Sequence, residues 1–231
     1  MEDSERPNLL SLKLGFWSSI LMLITMFLYA IGLGVFITLH PLPQWTDLPT
    51  FLSAIDNKWL NINTIIQFIG FLCAPLSIIL LNSIHDYAEK DKKILARISI
   101  HFSIVFTVLN SIAYYLQCTF IQQNIKNGTM NNLDLFINYN PNSITSGLTV
   151  LAWNFFIGIS FIFISPIFHS SKLNNLIRTF LIIIGMISFL GLVGAIFKIT
   201  FLYAVYQVTV PFLSIFLLIL FSRFFRKTIN N

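Results

Sequence analysis

Residues 176–222, LIRTFLIIIGMISFLGLVGAIFKITFLYAVYQVTVPFLSIFLLILFS, decide the fold. Beyond Arg178 near its start, the only charge in this stretch is Lys198, and it holds no turn-rich loop. A single helix of its 47 residues would be about 70 Å long, against a bilayer hydrocarbon core of about 30 Å. The chain must turn inside it, most simply near Lys198. The stretch is therefore read as two membrane spans, 176–197 and 201–222.

The rest of the chain agrees. It has 231 residues, 56% hydrophobic and only 10% charged, and a mean hydropathy of +0.79. A soluble domain carries about 25% charged residues. These totals exclude a water-soluble enzyme, a disordered tail and a disulfide-knotted domain. Four more apolar segments precede the first two, at 14–39, 59–83, 97–120 and 144–168. The expected fold is all-α: a polytopic membrane protein, a six-transmembrane-helix bundle forming one integral domain over residues 1–231. The first segment is read as a retained span. Its leader mixes acids (Glu2, Asp3, Glu5) with Arg6, and its apolar run exceeds the 7–15 residues of a signal core.

The basic residues set an orientation. Arg6, Lys13, Lys90, Lys92, Lys93, Arg97, Lys172, Arg178, Arg223, Arg226 and Lys227 fall on one side, eleven of the fourteen. Only Lys58, Lys126 and Lys198 fall on the other. Lys and Arg gather on the cytoplasmic side, so both termini are expected there, in a plasma (inner) membrane protein. The net charge of +5 thus marks helix ends and not a nucleic-acid surface. Lys90, Lys92, Lys93 and Arg97 are placed to attract anionic lipid head groups of the bilayer. Two longer outer connections remain. One holds His40, Pro41, Pro43, Trp45 and Pro49; the other is Asn-rich and holds Leu133, Leu135, Phe136 and Tyr139. Both are expected to lie at the membrane surface, with Trp45, Trp59 and Tyr139 at interfacial depth.

All nine acids lie outside the apolar segments, where proton-coupled carriers commonly place a carboxylate. There is no HExxH, P-loop, GxSxG or CxxC, and nothing nominates a metal, a cofactor or a catalytic residue. Cys73 and Cys118 are expected at depths too different for a disulfide. His85, His101 and His169 gather toward the cytoplasmic side as helix-end residues. Gly191 and Ala195 form a small-xxx-small pair for helix packing. Uncharged polar residues stand out instead: Asn63 and Gln67 on the second segment, Asn110, Tyr114 and Gln117 on the third, Asn154 on the fourth, Tyr203 and Gln207 on the sixth. Spacings of i, i+4 and i+7 put those on each segment on one face. Nearly all fall in the outer half. Amides are costly in hydrocarbon unless hydrogen-bonded, so these faces point into the bundle. They serve either as interhelical hydrogen bonds or as the lining of a pocket for a neutral or amphipathic ligand.

Ile84-His85-Asp86-Tyr87-Ala88, then Lys92-Lys93, Arg97, Tyr114-Tyr115-x-Gln117 and Tyr139-Asn140-Pro141, resembles a pattern in six-span bacterial membrane proteins of uncharacterised activity. The likeness covers most of the chain from the second segment on and implies the same span count, with no catalytic residue. Some relatives of that pattern place a carboxylate near the positions of Thr149 and Gln207. This chain lacks those charges, which weighs against ion coupling.

The functional expectation is a non-catalytic ligand-sensing or accessory membrane protein with a polar pocket in its outer half. The alternative is a small transporter of a neutral or lipophilic solute, as a homodimer. A reporter active only in the cytoplasm, fused after Asn231, is expected to be active. Activity only from a reporter that works outside the membrane would reverse the orientation.

Overall fold

The computed structural model describes residues 8–39 and 45–230. The leader residues Glu2, Asp3, Glu5 and Arg6, and His40, Pro41 and Pro43, lie outside the described residues. Seven helices carry the fold: α1 Leu9–Leu39, α2 Leu48–Ser53, α3 Asn57–Tyr87, α4 Lys93–Lys126, α5 Ile144–Ile167, α6 Lys172–Ile196 and α7 Thr200–Asn230. All but α2 are long and apolar enough to cross a membrane. The described residues form no strand.

Local chemistry explains the boundaries. Asp56 accepts the Trp59 N–H at 2.6 Å and caps α3, and Asp47 accepts the Thr50 N–H at 2.8 Å and caps α2. Ser143 and Ser171 cap α5 and α6 in the same way, from the N–H groups of Ser146 and Asn174. The turn between α6 and α7 falls at Lys198, which adopts left-handed backbone geometry with φ 56°. Its neighbours close the hairpin by donating to α6 carbonyls, Phe197 to Val193 and Ile199 to Gly194. The two-span reading of residues 176–222 therefore holds. The helices run past the apolar limits drawn from sequence, α7 as far as Asn230. Backbone hydrogen bonding does not stop where the hydrocarbon does.

The six long helices form a ring. Each packs chiefly on its neighbours in sequence, and α7 closes back onto α1. The described chain ends meet at one end of this ring, here the terminal end, where Gly15 of α1 lies directly against the Phe225 ring of α7. Small residues set the seams. Ser99 and Ser160 join α4 to α5 at 2.8 Å, and Ser77 and Ser103 join α3 to α4 at 3.0 Å. Thr25 meets Cys73 between α1 and α3 at 3.1 Å. Between α5 and α6, a Cβ at Gly185 would fall 2.9 Å from the Gly158 carbonyl oxygen, so only glycine permits the approach. On α6 the close approach to α7 is made by Gly191 and Gly194. Ala195, paired with Gly191 in the sequence reading, is only half-buried.

The terminal half of the ring is filled by a core that includes Leu80, Leu81, Ile84, Phe168, Leu181, Phe221 and Phe225. At the far end a second cluster forms, where Phe36, Phe51, Leu133 and Ile137 pack with Trp59. The Trp59 ring lies 5.2 Å from Phe36 and 5.3 Å from Tyr139. The aromatic residues expected at the membrane interface thus fold inward over α1, α3 and α4, and Trp59 is only 4% exposed. At the terminal end Glu89 ties two loops, accepting from Lys92 at 2.7 Å and meeting His169 at 3.0 Å.

Two outcomes follow for stability. Ser160→Ala should cost roughly 0.6 kcal/mol, typical of an interhelical hydrogen bond, and Gly185→Leu about 1–3 kcal/mol through overpacking, both read by denaturation in micelles. An equal cost for the two would contradict the seam assignment. The hydrogen bonds from Lys92 and His169 hold the Glu89 carboxyl below its ordinary value. The tie is therefore fully present above the unfolded carboxylate pKa and is lost as pH falls through the depressed folded value. The thermal midpoint should be flat near neutrality and fall slightly in acid, a fall that Glu89→Gln should lessen; the effect is small because the pair is exposed.

Candidate functional site

The far half of the ring encloses a cavity of about 280 Å³. Its walls come from α1 (Met26, Tyr29, Ala30), α3 (Gly70, Cys73), α4 (Tyr114), α5 (Thr149, Val150, Trp153, Asn154) and α7 (Tyr203 to Ile215), with Asn138 reaching in from the loop at the far end. None of the lining residues carries a formal charge. Its floor is apolar. A second void of about 50 Å³ sits beneath it, lined by residues such as Leu80, Leu81, Phe106, Leu217 and Phe221.

Backbone irregularities aim the polar groups. α5 winds as a π-helix over Leu151–Phe156, the turn that carries Trp153 and Asn154. α4 does so over Gln117–Ile121. A π turn adds a residue to the helical turn and shifts the face that follows it, a device frequent at functional sites. Two glycines make room. A Cβ at Gly70 would stand 2.5 Å from the Tyr114 ring, and one at Gly191 2.6 Å from the Asn154 amide nitrogen and 2.5 Å from the Tyr206 ring. The Trp153 ring rests on Phe106 at 4.9 Å, and Tyr203 and Tyr206 stand 6.1 Å apart.

The eight polar residues singled out in the sequence divide. Tyr114, Asn154, Tyr203 and Gln207 line the cavity. Asn63, Gln67 and Gln117 do not; they fasten the far-end loop. Tyr139 donates to Asn63 Oδ1 at 2.8 Å, and Gln67 donates to the same oxygen at 3.3 Å. Burial pushes the Tyr139 phenol above its ordinary pKa, so it stays a donor. Gln117 donates to the Phe136 carbonyl and accepts from the Asn138 N–H at 3.3 Å. Their amides are hydrogen-bonding glue, not pocket lining. Asn110 is fully buried, lies outside the cavity lining, and has no side-chain partner among the described residues.

The sequence reading missed Tyr29, Trp153 and Tyr206. Tyr206 was findable, three residues after Tyr203 and so on a shared helix face. The inward turn of Trp153 depends on the π-helix, for which the sequence holds no marker.

Asn154 and Asn110 both lack side-chain partners among the described residues, and of the two only Asn154 lines the cavity. It is 1% exposed, and neither its amide oxygen nor its nitrogen has a partner among the described residues. Leaving such a group unsatisfied costs about 1–3 kcal/mol. It borders an uncharged cavity, beside phenols, an indole and the Gln207 amide, with its amide nitrogen close to Gly191 of α6. That set can hydrogen-bond a neutral molecule and offers nothing to compensate a charge.

Searches against family models, curated proteins and solved structures return no match to this chain.

Substitution separates the two kinds of amide. Asn154→Leu removes an unsatisfied polar group and should leave the thermal midpoint of the purified protein unchanged or raised. Gln117→Leu breaks two loop contacts and should lower it. A large loss with Asn154→Leu would make that amide helix glue.

Proposed function

We propose that this protein is a non-catalytic ligand-sensing or accessory membrane protein that binds an uncharged, amphipathic molecule in the far-half cavity. Both termini are cytoplasmic in this reading, and the cavity lies within the outer leaflet of the plasma membrane. The observation that carries it is the buried, unpartnered Asn154 amide bordering a cavity without charge. The eleven-to-three distribution of Lys and Arg supports the orientation. The non-catalytic reading draws on the lining itself, where Cys73 and Ser214 stand without a histidine or carboxylate as base.

A second reading, a small transporter of a neutral solute, draws on the 50 Å³ void beneath. It shares Met26, Cys73, Trp153 and Val210 with the cavity, so the two lie on one axis. Transport would require the Leu80, Leu217 and Phe221 packing to part. The apolar floor favours binding over passage.

A thermal-shift screen of uncharged amphiphiles against the micelle-solubilised protein should yield ligands that raise the midpoint. Asn154→Leu and Gln207→Leu should abolish the rise. Flux of such a ligand through proteoliposomes would replace sensing with transport; shifts that survive both substitutions would remove the site.

A further inference from the structure

The cavity wall is not evenly sealed. The lining residues that remain exposed, Ala30, Gln207 and Pro211, all stand on α1 and α7. On α1 every buried residue lies at Ser19 or before it, except Phe36 at the far tip. On α7 burial is concentrated between Leu217 and Phe225. The seam between these helices is pinned where Gly15 meets Phe225, at the terminal end. Toward the far end α1 follows α3 instead, through Thr25 on Cys73, Gly32 against Ile66 and Phe36 on Trp59. The first and last spans therefore part in the far half, and the cavity opens between them.

That opening lies at hydrocarbon depth. Ile31, Val208 and Phe212 on these two helices are 59%, 75% and 63% exposed, faces suited to lipid tails and not to water. Asn138 and the aromatic cluster at the far end stand between the cavity and the aqueous side.

We infer that the ligand enters sideways from the bilayer through the gap between α1 and α7, and is a lipid-soluble molecule with an uncharged, ring-sized polar head. The inference rests on the cavity being a ligand site and adds the route and the chemical class. Size guides the head. An apolar cavity of about 150 Å³ holds a benzene molecule, so 280 Å³ suits a head of about eleven heavy atoms. The tail stays in the gap. The Tyr29, Tyr114, Trp153, Tyr203 and Tyr206 rings favour a planar head. Asn154 supplies one donor and one acceptor. At the mouth Gln207 adds its side-chain amide, and its backbone carbonyl lacks the usual helical donor because Pro211 has no N–H. A charged head would meet no counter-charge there.

The test uses the full-length protein in phosphatidylcholine nanodiscs, with a photoreactive diazirine on the tail carbon next to the ring of a p-alkylphenol, so that it reports the position of the head. Saturable labelling of Met26 and of α7 around Tyr206 is expected, displaced by unlabelled p-alkylphenol. The benzoate with the same tail should label about tenfold less or weaker still, a difference of about 1.4 kcal/mol per tenfold. Ala30→Trp, which plugs the mouth, should remove most labelling, and Ala30→Leu should lower it partly. Leu190→Trp, on the exposed face of α6, should change nothing. Thermal midpoints report whether each variant folds. Undiminished cavity labelling in a folded Ala30→Trp would overturn sideways entry while leaving the site intact. Labelling that does not saturate, or that ignores Asn154→Leu, would overturn the ligand site and the inference together. Equal labelling by the benzoate would overturn the uncharged head alone.

Discussion

At membrane depth there is no water to satisfy a polar group, so each amide and hydroxyl needs a partner within the protein or bears the cost of having none. The bundle is arranged around that constraint. Small hydroxyls meet it at the seams: Ser99 with Ser160, Ser77 with Ser103, Thr107 with the Ala74 carbonyl. Most of the larger amides meet it by reaching loop or backbone groups, as Gln117 and Gln122 do. Asn154 does not meet it, and it borders a space where another molecule could. Asn110 does not meet it either, but it lies away from the cavity; the missing partner and the bordering space coincide at Asn154.

The ring treats its two halves differently for a reason visible in its side chains. In the terminal half, Gly15 lets Phe225 close α7 onto α1, and Leu80, Leu81 and Phe221 fill the axis. In the far half, phenols and an indole line the axis, and α1 leans onto α3. Gly70 and Gly191 let the Tyr114 and Tyr206 rings lie directly against α3 and α6, and a void remains beside them. The acids take no part in it. Asp47 and Asp56 serve as helix caps, and Glu89 ties loops outside the spans.

Much of this was legible in advance, and unevenly so. The six spans and the turn at Lys198 follow from hydrophobic length alone, because no helix of the full stretch could stay within a bilayer. The polar faces were also legible, since i, i+4 spacing fixes which residues share a side. Their fates were not. Asn63, Gln67 and Asn154 look alike in sequence. The first two turned out to hold Tyr139 and its loop, because that loop folds back over α3. Trp59 looked like an interfacial residue and became the centre of a buried aromatic cluster.

The sequence by itself determined the elements: how many helices span, where each turns, and that charge is kept to their ends. Those properties are local, set by the hydropathy and length of contiguous residues. The tertiary structure decided the closure of α7 onto α1, the π turn that carries Trp153 and Asn154, and the exposure of the cavity-lining Ala30, Gln207 and Pro211 on the first and last spans. These depend on contacts between residues up to two hundred positions apart, such as Gly15 with Phe225. Local periodicity says which face of a helix is polar, and only packing says what that face meets.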